Sequence, residues 1–304
     1  MSCDIFCTVI DHFGDIGVSW RLARQLSNEY GWQVRLWVDD LITFARLCAD
    51  IDPHALRQRI GSVMVEHWRA DIDWSLRRIE AADVVIETFA CNPPPAYIAV
   101  MAQRAQCAPL HRAPVWINLD YLNNEDWVTS CHLKPSLHPR YPLTKYFFFP
   151  SLIAGAGGVL KEHHLDETRR AFLANANART VFWAALGLPI PPVNATVVSL
   201  FSYANAALEP LFAAWRTAAA PVFCIVPESL CSGAIARCLR LPSLAVGSIT
   251  PLENLTLCGA PFVEHSVYER LLWSCDLNFV RGEDSFVRAQ WAQRPLVWQL
   301  YPQS

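Results

Sequence analysis

The stretch that decides the fold reads Asp4-Ile-Phe-Cys-Thr-Val-Ile, then Asp11-His-Phe-Gly-Asp15-Ile-Gly17, then Val18-Ser-Trp-Arg-Leu-Ala-Arg-Gln-Leu26. Its short apolar beginning is typical of a buried strand, and its apolar residues at 18, 22, 23 and 26 share one helix face. A strand that turns directly into a helix places its loop at the carboxyl edge of a parallel sheet, where α/β proteins bind ligands. The stretch therefore predicts an α/β fold with a ligand site at this first loop.

The first loop holds two glycines and two carboxylates within seven residues. Gly14 and Gly17 permit close backbone approach or a positive φ, and Asp11 and Asp15 would point into a cleft at the sheet edge. The alternative for Asp15 is that it only caps the following helix, since aspartate is a favoured capping residue. The loop lacks the Gly-Lys-Ser/Thr of a phosphate loop and holds only a fragment of the dinucleotide fingerprint.

Length and composition narrow the class of protein. The 304 residues are enough for two domains, and 53% hydrophobic against 17% charged residues allow large cores. A formal net charge of −3 does not indicate a basic face, so no direct nucleic-acid partner is predicted. No apolar run reaches the roughly 18 residues of a membrane span, and the N-terminus lacks a signal-peptide pattern. Eleven cysteines without a Cys-x-x-Cys pair suit reduced thiols, which predicts a cytoplasmic protein.

Strand-like runs alternate with helical segments along the chain, which predicts βα units and mostly parallel sheets. The predicted helices include a short one from Ser75 to Ala82 and a long one from Asp166 to Leu186. The connector Gly187-Leu-Pro-Ile-Pro-Pro-Val193 interrupts the alternation, which restarts at Thr196. We therefore predict a first domain over residues 1–188, a proline-rich linker over 189–195 and a second domain over 196–304.

The last predicted strand, residues 295–301, has no helix after it. A buried parallel strand is normally covered by the helix that follows it. The second domain is therefore expected to be incomplete by at least one element, unless this strand lies at a sheet edge and needs no cover.

A second carboxylate loop, Asn278-Phe-Val-Arg281-Gly-Glu283-Asp-Ser285, again joins a strand to a helix. The free N–H groups and the positive dipole end of a helix start favour phosphate, and Arg281 and Ser285 could add a charge and a hydroxyl. The alternative is a helix cap by an acidic residue or serine of this loop, with Arg281 in a surface salt bridge. Aromatic residues near predicted strand ends, at 201, 262 and 268, could stack on a nucleotide base, although each alone is more often a core residue.

Three segments closely resemble one family, the bacterial protein-arginine rhamnosyltransferases that modify elongation factor P (the EarP family). They are residues 11–26, Val34-Arg-Leu-Trp-Val-Asp-Asp-Leu41 and Cys275-Asp-Leu-Asn-Phe-Val-Arg-Gly-Glu-Asp-Ser-Phe-Val-Arg-Ala-Gln-Trp291. The resemblance implies a GT-B glycosyltransferase, with two Rossmann-like domains facing each other across a cleft. It also implies dTDP-β-L-rhamnose as donor, inversion at the sugar, no required metal or other cofactor, and one arginine of elongation factor P as acceptor.

The resemblance also implies roles for individual residues. Asp11, Asp15 and Glu283 match the family's functional carboxylates and are expected to be catalytic. The donor-binding residues that it implies are Phe13, Gly14, Phe201, Phe262, His265, Tyr268, Arg281, Gly282, Asp284 and Ser285. Among these, Phe201 and Phe262 match thymine-binding aromatics, and Asp284 and Ser285 with adjacent amides would hold the diphosphate.

The chain also departs from the family pattern. His265, after Val263-Glu264, replaces a Pro-Gln that contacts the base in relatives. The family continues past residue 303 through helices that finish the second domain, so a C-terminal truncation is expected.

Other interpretations remain open at this point. One is a different nucleotide-sugar transferase with a small-molecule acceptor. Another is an inactive, truncated remnant that only binds the donor or a partner. A dehydrogenase is the least favoured, because the first βα turn lacks a full glycine fingerprint.

Overall fold

A computed structural model describes residues 1–10, 13–69, 79–107, 113–229 and 231–300. The chain forms two compact units, Met1–Glu162 and His163–Ser304. The division therefore falls before the helical segment at 165–185, and the proline-rich linker predicted at 189–195 lies inside the second unit. The reason is packing, because Phe172 contacts Trp273 with ring centroids 5.8 Å apart and the Arg169 guanidinium donates to the side chain of Gln293.

The first unit alternates strands and helices, as predicted. Its described strands are β1 (Ser2–Cys7), β2 (Gln33–Val38), β3 (Arg57–Ile60), β4 (Val63–His67), β5 (Val84–Thr88), β6 (Val115–Leu119), β7 (Pro135–Leu137) and β8 (Thr144–Phe148). Its described helices are α1 (Phe13–Tyr30), α2 (Leu41–Leu47), α3 (Pro95–Gln106) and α4 (Val128–Cys131). Of the helix predicted at 75–82, residues 75–78 lie outside the described residues, and residues 79–82 are not helical.

The eight strands form one sheet in the order β3-β4-β2-β1-β5-β6-β8-β7. All pairs are parallel except β3 with β4 and β7 with β8. The chain runs outward from β1 through β2 and then returns to β5 on the other side of β1. The carboxyl ends of β1 and β5 therefore mark a topological switch point, which is where an open α/β sheet leaves a crevice for ligands.

The second unit repeats this organisation. Its described strands are β9 (Thr196–Leu200), β10 (Val222–Pro227), β11 (Ile249–Leu252), β12 (Leu255–Ala260), β13 (Leu277–Arg281) and β14 (Leu296–Gln299). Its described helices are α5 (Leu165–Ala174), α6 (Ala176–Ala185), α7 (Leu208–Arg216), α8 (Ser232–Cys238), α9 (His265–Ser274) and α10 (Glu283–Ala292).

The strand order of the second sheet is β11-β12-β10-β9-β13-β14, with only β11 antiparallel to its neighbour. Here the switch point lies between β9 and β13, so the loops that follow these two strands border the crevice. The predicted fold class is confirmed: the protein is α/β, with two Rossmann-like units, as the resemblance implies.

The structure corrects several predicted elements. The single long helix predicted from Asp166 to Leu186 is two helices, because Asn175 ends α5 and caps α6 by accepting the N–H of Ala178 at 3.0 Å. Three short strands were not predicted, namely β3, β7 and β11. All three are antiparallel strands at a sheet edge, where exposed polar residues hide the apolar alternation that marks buried strands.

The last described strand, β14, lies at the edge of its sheet. Trp298 stacks on Phe286 of α10 with ring centroids 3.9 Å apart, so this side chain is covered by the preceding helix. Val297 and Leu300 are 45% and 63% exposed. Among the described residues, no helix is both long and apolar enough to cross a membrane.

Candidate active site

Asp15 lies at the switch point of the first sheet. It is the third residue of α1 and is only 1% exposed. Its Oδ2 accepts the backbone N–H of Ile10 at 2.8 Å, and its Oδ1 accepts the hydroxyl of Tyr121 at 3.0 Å. The bond to Ile10 joins the third helical residue to the backbone just before the helix, which resembles the contact of a capping box. The bond to Tyr121 reaches a residue beyond β6, on the other side of β5, and has no capping function. Capping alone therefore does not account for Asp15.

The rest of the first loop is only partly described. Asp11, the other predicted carboxylate, lies outside the described residues, as does His12. Phe13 and Gly14 open α1 and are half-buried. The guanidinium of Arg46 lies 5.3 Å from the centroid of the Phe13 ring, a cation–π distance. The structure thus brings Phe13, Gly14 and Asp15 together at one helix start beside the switch point.

In the second unit, Arg281 ends β13 and is held by two aromatic rings from the segment after β9. Its guanidinium carbon lies 4.4 Å from the centroid of Phe201 and 4.5 Å from that of Tyr203. Neither the predicted surface salt bridge of Arg281 nor any other hydrogen bond from its guanidinium to protein occurs among the described residues. The rings fix the plane of the guanidinium, and its N–H edge stays available to an anionic ligand.

The next residues form the start of α10. Gly282 is its N-cap, at φ +65° and ψ −168°, and no side chain caps the helix. Ser285 Oγ donates to the carbonyl of Arg281 and accepts its N–H at 3.2 Å, so this hydroxyl closes the turn on the strand end. The alternative of an acidic or serine cap is therefore wrong for this helix. Glu283 and Asp284 lie in the first turn and are half-buried.

Helix α9 contributes two predicted residues to the same place. His265 Nε2 lies 3.7 Å from Asp284 Oδ2, and His265 is nearly fully buried. The Tyr268 ring meets the Phe201 ring edge-on, with centroids 6.0 Å apart. Burial, and after it the charge of Asp284, raise the pKa of Tyr268 above its ordinary value, so its hydroxyl stays protonated and can donate a hydrogen bond.

Phe262 follows the carboxyl end of β12, two strands along from β9 in the sheet order, and is half-buried. The Phe201 ring contacts Tyr268 and Arg281. Eight of the ten predicted donor residues belong to this second unit. All of them except Phe262 lie at the carboxyl ends of β9 and β13 or contact a residue there.

Sequence reasoning missed two residues that touch the predicted ones. Tyr121 follows β6 and contacts Asp15, and Tyr203 follows β9 and stacks on Arg281. Both are aromatic residues just beyond a strand's carboxyl end, a position that could have marked them. A third, Trp298 of β14, donates its indole N–H to the carbonyl of Gly282 at 3.0 Å and fixes the cap from the far side.

The two sites offer different chemistry. The first supplies a buried carboxylate, whose charge acts strongly on a cation because the surrounding dielectric is low. The second combines a fixed guanidinium, an uncapped helix start and aromatic rings, which suit a diphosphate and a base. No group of three or more His, Cys, Asp or Glu side chains that could hold a metal ion occurs within the described ranges.

Comparisons with known proteins identify the family of this chain. Residues 3–304 match the family described as Elongation-Factor P (EF-P) rhamnosyltransferase EarP. The protein-arginine rhamnosyltransferases of Pseudomonas aeruginosa and Pseudomonas putida are 47% and 45% identical to this chain. Each alignment covers 99% of this chain, and 77% and 76% of the relatives.

Solved structures were compared as well. One, described as the structural basis for EarP-mediated arginine glycosylation of translation elongation factor EF-P, matches with a TM-score of 0.64 and 33% identity. That match covers 99% of this chain and 73% of the other. The UDP-GlcNAc 2-epimerase of Methanocaldococcus jannaschii matches with a TM-score of 0.51 at 12% identity, over 98% and 83% of the two chains. This second match concerns the fold alone.

Fold, site and relatives together define the class of protein, which is a glycosyltransferase. The chain belongs to the EarP family of protein-arginine rhamnosyltransferases, and its reaction is the transfer of a rhamnosyl group to an arginine side chain.

Proposed function

We propose that this enzyme transfers L-rhamnose from dTDP-β-L-rhamnose to one arginine of elongation factor P, with inversion at the sugar and without a metal or other cofactor. The observation that carries the donor assignment is the placement of Arg281 between Phe201 and Tyr203, next to the uncapped start of α10. A cation and a helix dipole there suit a diphosphate, and the aromatic rings suit a base. The acceptor assignment rests on family membership, and the eleven cysteines without a Cys-x-x-Cys pair support a cytoplasmic location.

In this proposal the second unit holds the leaving group. The N–H groups at the start of α10 and the Arg281 guanidinium neutralise the charge that builds on the diphosphate as the sugar C1–O bond breaks. Ser285 holds the strand end in place, and Phe201 and Phe262 contact the thymine. Glu283 is placed toward the sugar or the cationic acceptor, because a carboxylate beside the diphosphate would be repelled.

The first unit acts on the acceptor. A guanidinium is always protonated at neutral pH and is a poor nucleophile. Asp11 and Asp15 orient the guanidinium and localise its positive charge on the nitrogens that do not attack the sugar. They also accept the proton released as the C–N bond forms. Attack opposite the diphosphate inverts C1, so a β-linked donor gives an α-linked product. Phe13 lies beside the sugar.

The test mixes the purified protein with elongation factor P and dTDP-β-L-rhamnose and follows the factor by intact mass. We expect a gain of one rhamnose on one arginine, unchanged by a chelator, and an α-anomeric signal by NMR. Replacing that arginine by lysine in the factor is the matched control and abolishes the gain. Donor turnover only with a small-molecule acceptor would favour another nucleotide-sugar transferase, and donor binding without turnover would favour a binding remnant.

A further inference from the structure

Tyr121 contacts the buried Asp15 carboxylate from beyond β6, whereas Asp15 itself lies after β1. Its hydroxyl donates to Asp15 Oδ1 at 3.0 Å, while the Ile10 N–H donates to Oδ2 at 2.8 Å. The Ile10 bond is local to the loop, whereas Tyr121 follows β6 and reaches Asp15 across β5. Two donors on two different oxygens fix the rotation of a carboxylate, so Asp15 is held in one orientation.

The Tyr121 ring is itself fixed. It stacks on Phe89 with centroids 4.2 Å apart and an interplanar angle of 16°. Phe89 and the next residue, Ala90, have φ values of +56° and +55°, a left-handed conformation that is unfavourable for a bulky side chain. The carbonyl of Leu119 accepts the Phe89 N–H at 2.7 Å, and Asn118 Oδ1 accepts the Ala90 N–H at 3.0 Å.

This backbone conformation has a specific consequence for the site. Strained backbone persists only where surrounding contacts over-determine it, and it concentrates at functional sites. Here the left-handed conformation at Phe89 lets its ring stack on Tyr121, at the carboxyl ends of β5 and β6. Because Tyr121 remains 41% exposed, it is a surface residue whose ring packs on Phe89, and it is not part of the core.

Other described groups lie close to Asp15 or to the loop that holds it. Burial raises the pKa of the Cys7 thiol to about 12, so it stays neutral. Asp39 accepts the Val9 N–H at 2.9 Å, and Ser19 Oγ donates to the backbone carbonyl of Asp15 at 2.8 Å. Tyr121 therefore donates a side-chain hydroxyl to the Asp15 carboxylate, whereas Ser19 donates to its backbone.

We infer that Tyr121, supported by Phe89, is a positioning residue that orients the Asp15 carboxylate toward the acceptor arginine during rhamnosyl transfer. This inference rests on the proposed function, in which Asp15 acts on the acceptor.

The test is Tyr121→Phe, which keeps the ring and its stack on Phe89 but removes the hydroxyl. We expect kcat for transfer to elongation factor P to fall about tenfold or more, since a hydrogen bond to a charged group is lost. The KM for dTDP-β-L-rhamnose should be unchanged, because eight of the ten proposed donor residues lie in the other unit and the hydroxyl that is removed contacts Asp15. Phe89→Leu keeps the Tyr121 hydroxyl but removes the aromatic ring that stacks on Tyr121. We expect a smaller loss of kcat than in Tyr121→Phe.

The matched control is Tyr146→Phe, the same change at another partly exposed tyrosine of the first unit, on β8. Its kcat should equal that of the wild type. A wild-type kcat in Tyr121→Phe would overturn the inference while leaving the proposed function intact.

A separate readout covers the case in which the proposed function itself fails. If the wild type transfers no rhamnose to elongation factor P, a double-mutant cycle of Tyr121→Phe with Asp15→Ala is read from denaturant unfolding. Non-additive effects support the contact, and additive effects overturn the inference.

Discussion

At the scale of single residues, Asp15 combines two kinds of contact. Its bond to the Ile10 N–H is a local feature of a helix start, and its bond to Tyr121 joins parts of the chain 106 positions apart. An aspartate that only capped a helix would be served by the first alone. The second identifies the carboxylate itself as the group that the fold holds in place.

Asp15→Asn tests the role of this charge. An asparagine can accept the Ile10 N–H with its oxygen and donate its NH2 to the Tyr121 oxygen, so both contacts survive without charge and about 1 kcal/mol of stability should be lost. Transfer should fall about 10²-fold or more because the acid–base group is gone, while calorimetric dTDP affinity should stay unchanged. Single-turnover transfer and denaturant unfolding measure the two effects.

The matched control for this change is Asp40→Asn. Asp40 caps α2 by accepting the Thr43 N–H at 2.9 Å, and asparagine caps equally well. Its turnover and stability should be close to those of the wild type. Near-wild-type turnover in Asp15→Asn as well would reduce Asp15 to a structural residue.

Phe201 has two tasks in the second site, because its face carries Arg281 and the proposed donor stacks on the same ring. Phe201→Ala should weaken dTDP binding by about 1–3 kcal/mol, the range for base–aromatic stacking, measured by calorimetry. Tyr30→Ala, at an aromatic residue of α1 that is 56% exposed, should leave the affinity unchanged. Wild-type affinity in Phe201→Ala would remove Phe201 from the donor site.

At the scale of elements, the start of α10 depends on one glycine. Gly282 lies at φ +65° and ψ −168°, a region that is essentially restricted to glycine. The nearest atom to an added Cβ is the Tyr203 hydroxyl oxygen at 3.8 Å, so space is available and the cost of a side chain is backbone strain. The conformation turns the chain so that the first N–H groups of α10 open toward the crevice.

Gly282→Ala should therefore destabilise the protein by about 1–3 kcal/mol and weaken dTDP binding, because relief of strain moves the helix start. Gly61→Ala is the comparison, since Gly61 has φ +57°, lies in the β3–β4 turn and has nothing within 4 Å of an added Cβ. That variant should lose stability but keep its dTDP affinity. Equal affinity in both variants would show that the cap geometry does not serve the diphosphate.

At the scale of the whole molecule, the two units divide the predicted chemistry between them. The described residues of the second unit carry the cation, the helix start and most of the aromatics, and those of the first carry the carboxylate with Tyr121. Each group sits at a switch point of its own sheet, which follows from the same strand order being used twice.

Hydrogen exchange in the presence of dTDP tests this division. Protection should rise in peptides covering residues 199–204 and 280–287, which border the second crevice. Peptides covering residues 13–20 should be unchanged, because the nucleotide alone lacks the sugar and acceptor that the first unit is proposed to contact. Protection confined to the first unit would contradict the proposal that the second unit binds the nucleotide.

The sequence by itself determined the α/β class, most of the buried strands and the two loops that lie at the switch points of the sheets. Buried parallel strands are short continuous apolar runs, and such runs are visible without any knowledge of their neighbours. The βα turns at Asp15 and Glu283 are likewise local, since strand, loop and helix are contiguous in the chain. The Arg281 position after β13 was found for the same reason.

Only the tertiary structure decided the rest, because it depends on partners distant in sequence. Tyr121 became a site residue by reaching Asp15, and Arg281 took its place between two rings of another strand's loop. The helices at 165–185 joined the second unit because Phe172 packs on Trp273, although the prolines at 189–192 marked a boundary locally. Short edge strands such as β3 form because a neighbouring strand pairs with them, and their own polar residues cannot indicate it.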